Sequence, residues 1–215
     1  ARLFSNIEAP RSRVLFTTRR GSIGDSIGAS EVRLDVLESQ QALDLLQQWA
    51  ERDLPEMPQV AKKLGYLPLA LEIAGGRLRK TKGEDWLKAF SEKEISFLKK
   101  QLHSNGKYNS VEISFDLSVE LLSSEEQLHY HSLGIFPEDL WIPETAVFKL
   151  WQNYQPNLSE IDCREIAYSL NDLALMKRRE DGAILLHDLL HDYNRVRIQE
   201  RDEYQNTHQK LLHAY

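Results

Sequence analysis

The segment Leu175–Leu186, with the sequence Leu-Met-Lys-Arg-Arg-Glu-Asp-Gly-Ala-Ile-Leu-Leu, decides the fold of the second half of the chain. It contains two short runs, Leu175–Arg179 and Ala183–Leu186, which are separated by Asp181-Gly182. Aspartate and glycine both tolerate positive φ, so an Asp-Gly pair between two such runs is a strong hairpin signal. The segment therefore predicts a small antiparallel β-hairpin.

The residues on both sides of this hairpin predict helices. We expect helices at Val111–Leu122, Ser124–Leu133, Pro143–Trp151 and Ser159–Leu173, and another that begins near His187. Ser123 and Glu126 have the spacing of a capping box, and Pro143 suits a first helical turn. Three helices directly before a hairpin predict a winged-helix domain. We place this domain at residues 107–198. Residues 199–215 would start a further helical segment.

The first half of the chain predicts a small helical bundle at residues 35–106. The expected helices cover the region from Ser39 to Ala50, Pro58–Leu64, Leu69–Leu78 and a longer helix after a capping box at Thr81–Glu84. Ser104-Asn105-Gly106 interrupts the helical pattern and marks the predicted domain boundary.

Residues 1–34 contain a different signal. Arg13–Arg19, with the sequence Arg-Val-Leu-Phe-Thr-Thr-Arg, is rich in β-favouring residues and does not alternate polar with apolar ones. That pattern predicts a strand covered on both faces, as in a parallel sheet. A lone strand of this type would leave backbone groups unpaired, so we expect it to be the remnant of a truncated α/β domain. The predicted fold class is thus mainly α, with one leftover strand.

Composition excludes several classes of protein. The formal net charge of −6 over 215 residues argues against nucleic acid as a partner, because that mode needs surplus Lys and Arg. Cys163 is the only cysteine, so no internal disulfide can form and a reducing compartment is expected. No apolar run approaches the ~20 residues of a membrane span. The N-terminus lacks a secretory signal, and we predict a cytoplasmic protein.

Four separated segments resemble motifs of the NB-ARC family of signalling ATPases, in the family's order. They are the strand Arg13–Arg19, Gly65–Leu71 (Gly-Tyr-Leu-Pro-Leu-Ala-Leu), Leu133–Asp139 (Leu-Gly-Ile-Phe-Pro-Glu-Asp) and Leu186–Leu189 (Leu-His-Asp-Leu). Leu186 stands where the last motif usually has methionine. The resemblance covers nearly the whole chain and implies an ARC1-like bundle followed by an ARC2-like winged helix.

The resemblance also implies a nucleotide site. Arg19 would sense the γ-phosphate, Pro68 with Leu67 and Leu69 would pack against adenine, and His187 would reach the β-phosphate of ADP. An arginine at the carboxyl end of a strand suits this task, because ligands of α/β sheets bind there and guanidinium binds phosphate through two hydrogen bonds. The cofactors implied are ADP and ATP, with Mg²⁺ in the intact protein. The implied partners are a second copy of the protein and other signalling proteins, with no membrane involved.

The family's phosphate-binding loop and acidic strand have no counterpart here, and truncation explains their absence better than divergence does. Phosphoryl transfer depends on those parts. We therefore expect no catalytic residue in this chain, an inactive fragment, and a slow ATPase in the intact protein.

Plainer interpretations exist for each residue. Arg19 could be a solvated arginine, Pro68 a simple helix start and His187 a satisfied buried side chain. His187 and His191 have the spacing of a zinc pair, but Asp188 replaces the catalytic glutamate and no third ligand follows, so we predict no metal site.

The four residues Phe136, Pro137, Trp141 and Trp151 are predicted to be core residues. Two other functions remain open, a winged-helix regulator that binds DNA and a protein-interaction scaffold that needs no nucleotide. The predicted recognition helix carries Glu160, Asp162, Glu165 and Asp172 against Arg164 alone. An acidic helix repels DNA phosphates.

Overall fold

The computed structural model describes residues 34–101 and 110–200 and the isolated positions 15, 30, 32 and 209, without the side chains of 97–101 and 200. The chain divides into two units, residues 1–35 and 36–215. Apart from Leu15, the predicted strand Arg13–Arg19 lies outside the described residues. The predicted boundary at Ser104–Gly106 also lies outside them, so the division of 36–215 into two domains stays a prediction.

The first part of the larger unit is helical, as expected. Its helices are α1 (Ser39–Ala50), α2 (Met57–Lys63), α3 (Pro68–Leu78) and α4 (Gly83–Gln101). Helix α1 begins at a capping box in which Glu38 and Gln41 bind each other's backbone N–H groups. The capping box predicted at Thr81 and Glu84 would make residue 82 the first residue of α4. The helix begins at Gly83, one residue later.

Close approach of α3 to its neighbours depends on two consecutive glycines. A Cβ built on Gly75 would lie 2.5 Å from Cβ of Trp49 in α1. A Cβ on Gly76 would lie 2.5 Å from the carbonyl oxygen of Asp172, far along the chain. Elements approach this closely only where a side chain is absent. Gly75 and Gly76 therefore allow α3 to pack against both α1 and the backbone at Asp172.

The second part continues with helices α5 (Ser110–Val119), α6 (Ser124–Ser132), α7 (Glu144–Tyr154) and α8 (Glu160–Asp172). The predicted capping box of Ser123 and Glu126 is confirmed, and Ser159 with Asp162 forms another at the start of α8. Pro143 is the N-cap of α7 rather than a residue of its first turn. A turn of 3-10 helix at Leu133–Ile135 follows α6.

The predicted hairpin is present. Strands β1 (Lys177–Arg178) and β2 (Ile184–Leu185) are antiparallel, and an isolated bridge joins Ile142 to Ile184. The N–H of Gly182 donates to the carbonyl of Arg179 at 3.0 Å, and Gly182 has a φ of 86°. A turn that closes on a left-handed glycine therefore connects the strands, and Gly182, not Asp181, takes the positive φ. Helix α9 (Asp188–Glu200) follows.

One hydrophobic core contains buried residues from both described ranges, 34–101 and 110–200. Trp86 and Trp151 are among its largest fully buried side chains, and Cys163 of α8 is also fully buried. The hydroxyl of Ser114 donates to the carbonyl of Ala70 at 3.3 Å, so α5 packs on α3. The fold of the described residues is mainly α, and none of their helices has the length and apolar character needed to cross a bilayer.

The core prediction was wrong for one of its four residues. Phe136 and Trp151 are buried, and Trp141 is half-buried beneath the guanidinium of Arg179, 3.8 Å from the ring centroid. Pro137, in contrast, is exposed. A proline disfavours helical backbone at the residue before it, and Phe136 is extended (φ −71°, ψ 158°), so Pro137 ends the 3-10 turn at the surface.

Candidate functional site

A narrow cleft brings together two of the residues that the sequence singled out. It lies between α1, the first turns of α3, the start of the hairpin and the start of α9. Its lining consists of Trp49, Leu69, Glu72, Ala174, Met176, Lys177, His187 and Leu190. The enclosed volume is about 10 Å³, which is roughly the room of one water molecule. Leu69 and His187, from opposite halves of the chain, thus face the same space.

The wall that carries Leu69 is shaped by the turn before α3. Gly65 and Tyr66 both have left-handed backbone, with φ values of 61° and 58°, and Leu67 is the extended N-cap of the helix. Pro68 occupies the first helical position, where its missing N–H costs nothing. Pro68 is exposed, and Leu67 and Leu69 are half-buried. The helix start therefore presents a partly uncovered apolar edge beside the cleft.

The opposite wall carries His187, an exposed residue between β2 and α9. Its Nδ1 contacts Oδ1 of Asp188, and the N–H of Leu189 donates to the same oxygen at 2.8 Å. A carboxylate oxygen only accepts hydrogen bonds, so Nδ1 carries a proton and donates it. The N–H of Leu189 also lies 3.3 Å from Nδ1, but a protonated nitrogen cannot accept it. A ligand would accordingly meet Nε2.

The charges around the cleft come from Glu72 and Lys177. Burial raises the pKa of Glu72 above its ordinary value, and the positive charge of Lys177 opposes that rise. An anion bound here would be attracted by Lys177 and repelled by an ionised Glu72. A carboxyl that protonates more readily than usual weakens this repulsion.

The predicted site residues thus have different outcomes. Leu69 and His187 line the cleft, whereas Leu67 and Pro68 are beside Leu69 but not in its lining. Arg19 lies outside the described residues. No observation here tests the roles predicted for these five side chains.

Three polar or aromatic residues of the cleft, Trp49, Glu72 and Lys177, were not among the predicted site residues. Glu72 follows Leu69 by three residues, which places both on one helical face, and this spacing could have identified it. Trp49 and Lys177 have no such signal, because only the packing of α1 and the hairpin brings them near Leu69.

A larger cleft, of about 340 Å³, lies among α4, α5, α6 and α9. Its centre is Asp116, which accepts hydrogen bonds from the hydroxyl of Tyr193 at 2.7 Å and from Arg197 at 3.0 Å. Lys93 pairs with Glu120 at 2.6 Å. The two cations and two carboxylates offset each other, so this cleft has no surplus charge to attract an ionic ligand. It contains none of the predicted site residues.

Comparisons with known proteins give a consistent set of distant relatives. The chain is 23% identical to apoptotic protease-activating factor 1 of Danio rerio over 215 aligned positions, which cover 94% of this chain. It is 24% identical to the Homo sapiens protein of the same name, over 93% of the length of this chain. It is 26% identical over 84% of its length to disease resistance RPP13-like protein 3 of Arabidopsis thaliana. No protein-family model matches the chain.

These relatives are much longer proteins. The chain spans 16% of the length of the two apoptotic protease-activating factors and 23% of the plant protein.

Proposed function

We propose that this chain, which is related to the NB-ARC proteins, is part of a signalling switch that responds to bound ADP or ATP. The observation that carries the proposal is the shared cleft of Leu69 and His187. Leu69 belongs to the segment resembling the family's glycine-leucine-proline motif, and His187 belongs to the Leu-His-Asp-Leu segment. Two family motifs that lie far apart in sequence therefore border one space.

Within this proposal, residues 35–106 form the ARC1-like bundle and residues 107–198 the winged helix. The helices before the hairpin and the bridge from Ile142 to Ile184 support the winged helix, since that bridge adds a third extended segment to the hairpin. Residues 1–34 would belong to the nucleotide-binding α/β domain, with Arg19 as the γ-phosphate sensor.

The apolar edge of α3 would contact the adenine ring. Pro68 and its two leucine neighbours offer a partly exposed apolar surface, which suits contact with an aromatic base. The cleft itself has room for about one water molecule, so only an edge of a nucleotide could enter it. The remaining contacts, including Mg²⁺, would come from residues elsewhere in the protein.

The phosphates would meet His187 and Lys177. Phosphate oxygens only accept hydrogen bonds, and Nδ1 of His187 is engaged with Asp188, so Nε2 must be protonated to donate to a phosphate. The carboxylate of Asp188 compensates the charge of that doubly protonated ring. Lys177 supplies a second positive charge on the same wall. None of these groups is a catalytic residue, because each of them would only bind or orient the nucleotide.

The wider role follows from the relatives. Two relatives are named for activating an apoptotic protease and one for disease resistance. We infer that the protein containing this chain is cytoplasmic, associates with itself in the ATP state, contacts other signalling proteins and hydrolyses ATP slowly. The switch is the difference between the contacts made in the ADP and ATP states.

Binding of duplex DNA is the weaker alternative. Helix α8, which would be the recognition helix, exposes four acidic side chains, Glu160, Asp162, Glu165 and Asp172. Its Arg164 pairs with Glu144 at 3.5 Å. The exposed surface of this helix is therefore acidic, which opposes binding to phosphates.

The test is nucleotide binding by the complete gene product. Two variants, His187→Ala and Lys177→Ala, are compared with Arg179→Ala, whose side chain stacks on Trp141. A charge-assisted hydrogen bond contributes about 1.5–3 kcal/mol, so each cleft variant should bind fluorescent ADP roughly 10–100-fold more weakly. The Arg179 variant should change affinity less than about twofold.

Two results would contradict the proposal. Equal affinities of all three variants for ADP would show that the cleft is not part of the nucleotide site. A complete protein that neither copurifies with ADP nor binds it would favour the scaffold function, which requires no nucleotide.

A further inference from the structure

His191 of α9 has an unusual hydrogen-bonding pattern for a buried histidine. Only 4% of the residue is exposed. Its Nε2 lies 2.7 Å from the carbonyl oxygen of Phe136, and since a carbonyl only accepts, Nε2 carries the hydrogen. Nδ1 is buried and has no hydrogen-bond partner among the residues that the structure describes. The ring is therefore held through Nε2, while Nδ1 makes no hydrogen bond of its own.

One carboxylate lies beside this nitrogen, and a second lies near the same ring. Oε1 of Glu138 is 3.5 Å from Nδ1 of His191. Asp192 completes a group in which one ligand atom from each residue lies within 4.8 Å of the others. Both acidic residues are exposed, whereas His191 is buried. An unprotonated Nδ1 would be repelled by the facing carboxylate of Glu138, so the arrangement requires positive charge between them.

We propose that Glu138, His191 and Asp192 form a site for a divalent transition-metal ion such as Zn²⁺. Histidines that bind metals commonly donate the other ring N–H to a backbone carbonyl, which orients the ring. The bond from Nε2 to Phe136 is of this kind. Zinc binds nitrogen and carboxylate oxygen at about 2.0–2.2 Å in a tetrahedron, which separates neighbouring ligand atoms by about 3.5 Å. The distance from Glu138 to His191 already has this value.

The ligand set selects the class of metal. One imidazole nitrogen with two carboxylate oxygens favours Zn²⁺, Mn²⁺ or Fe²⁺ over Ca²⁺ and Mg²⁺, which prefer oxygen alone. Three protein ligands leave a fourth position for water.

This site differs from the zinc pair that the sequence analysis rejected. That pair consisted of His187 and His191, and it lacked a third ligand. The structure gives His191 a different partner, because the turn that ends at Phe136 brings Glu138 against α9. The metal would hold this turn on α9, independently of any nucleotide at His187.

The experiment is a Zn²⁺ titration of the chain after treatment with chelator, with Co²⁺ absorption as a second measurement. The variants are Glu138→Gln, Asp192→Asn and His191→Gln. The control is Asp139→Asn, an exposed acid outside the group whose φ of 57° suits asparagine. Circular dichroism verifies that each variant is folded. The two carboxylate variants change only exposed side chains, so they test the site even if His191→Gln unfolds.

We expect one equivalent of Zn²⁺ per chain, with affinity reduced at least about tenfold in each ligand variant and unchanged in the control. Bound Co²⁺ should give the visible absorption of a tetrahedral site in the parent chain only. A parent chain that binds no Zn²⁺ in this titration would overturn the proposal. Equal binding by the carboxylate variants and the control would also overturn it.

Discussion

Replacement of Gly76 by alanine tests the contact between α3 and the end of α8 most directly. The added Cβ would lie 2.5 Å from the carbonyl oxygen of Asp172 and 2.9 Å from two backbone atoms of Leu173. Non-bonded carbon atoms pack at about 3.5–4.0 Å, so the elements must separate by roughly 0.6 Å or more. The obstructing atoms belong to the backbone and cannot rotate away.

The expected magnitude follows from two opposing contributions. Overpacking costs about 1–3 kcal/mol, and because the obstructing atoms here are backbone, the upper part of that range, about 2–3 kcal/mol, is expected. Alanine is favoured over glycine within a helix by up to about 1 kcal/mol. The net change of Gly76→Ala should thus lower the free energy of unfolding by about 1–2 kcal/mol. With a urea m-value of about 2 kcal/mol/M, the midpoint should fall by roughly 0.5–1 M.

Urea denaturation followed by tryptophan fluorescence gives this midpoint, because Trp86 and Trp151 are buried in the native state. The control is Gly65→Asn, since Gly65 has no atom within 4 Å of an added Cβ and asparagine tolerates its φ of 61°. The control should change stability by less than about 1 kcal/mol. A midpoint that stays unchanged or rises in Gly76→Ala would mean that α3 does not contact Asp172, and the cleft would lose its geometric basis.

Three further predictions concern His129, Tyr193 and Ser123. Burial lowers the pKa of His129, against the opposing charges of Glu125 and Glu126, so its stabilising contribution is complete above pH 6.5 and is lost as the pH falls below that value. Neither ring nitrogen of His129 has a hydrogen-bond partner among the described residues, so His129→Leu should match the parent in thermal stability at pH 7.5 and exceed it at pH 5. A stability difference that does not change with pH would contradict this reasoning. Tyr193→Phe removes the 2.7 Å bond to Asp116 and should cost about 1–2 kcal/mol by urea denaturation, whereas Tyr168→Phe, at an exposed tyrosine, should cost almost nothing; equal costs would refute the assignment. Ser123→Ala removes the cap of α6 and should cost about 1 kcal/mol in the same assay, and an equal loss in Ser124→Ala would show that capping is not the cause.

Local signals in the sequence predicted the secondary structure well. The helices follow the spacing of apolar residues, and Ser123 with Glu126 marks the start of α6 as expected. The Asp-Gly pair at 181–182 predicted the hairpin correctly, because few residues accept the φ that the turn requires. These features depend on neighbours within four residues, so one sequence suffices to predict them.

Contacts between distant segments were harder to predict. Leu69 and His187 were selected by resemblance to a family, and no local pattern shows that they share a cleft with Trp49. Pro137 was predicted to be a core residue but is exposed, because the extended backbone that it favours at Phe136 ends the 3-10 turn at the surface. The contact between His191 and Glu138 was also missed, because it depends on how the turn before Pro137 packs against α9. No local pattern in the sequence shows that packing.

The buried cysteine has a practical consequence for measuring motion at the cleft. Burial raises the pKa of the Cys163 thiol to about 11, and the thiolate is the form that reacts with maleimides and spin-label reagents. A cysteine substituted for exposed Gln48 in α1 or Glu180 in the hairpin, neither of which lines the cleft, would be labelled far faster than the native thiol at neutral pH. Distances across the cleft could therefore be recorded by electron paramagnetic resonance, with and without nucleotide, without replacing Cys163 in the core.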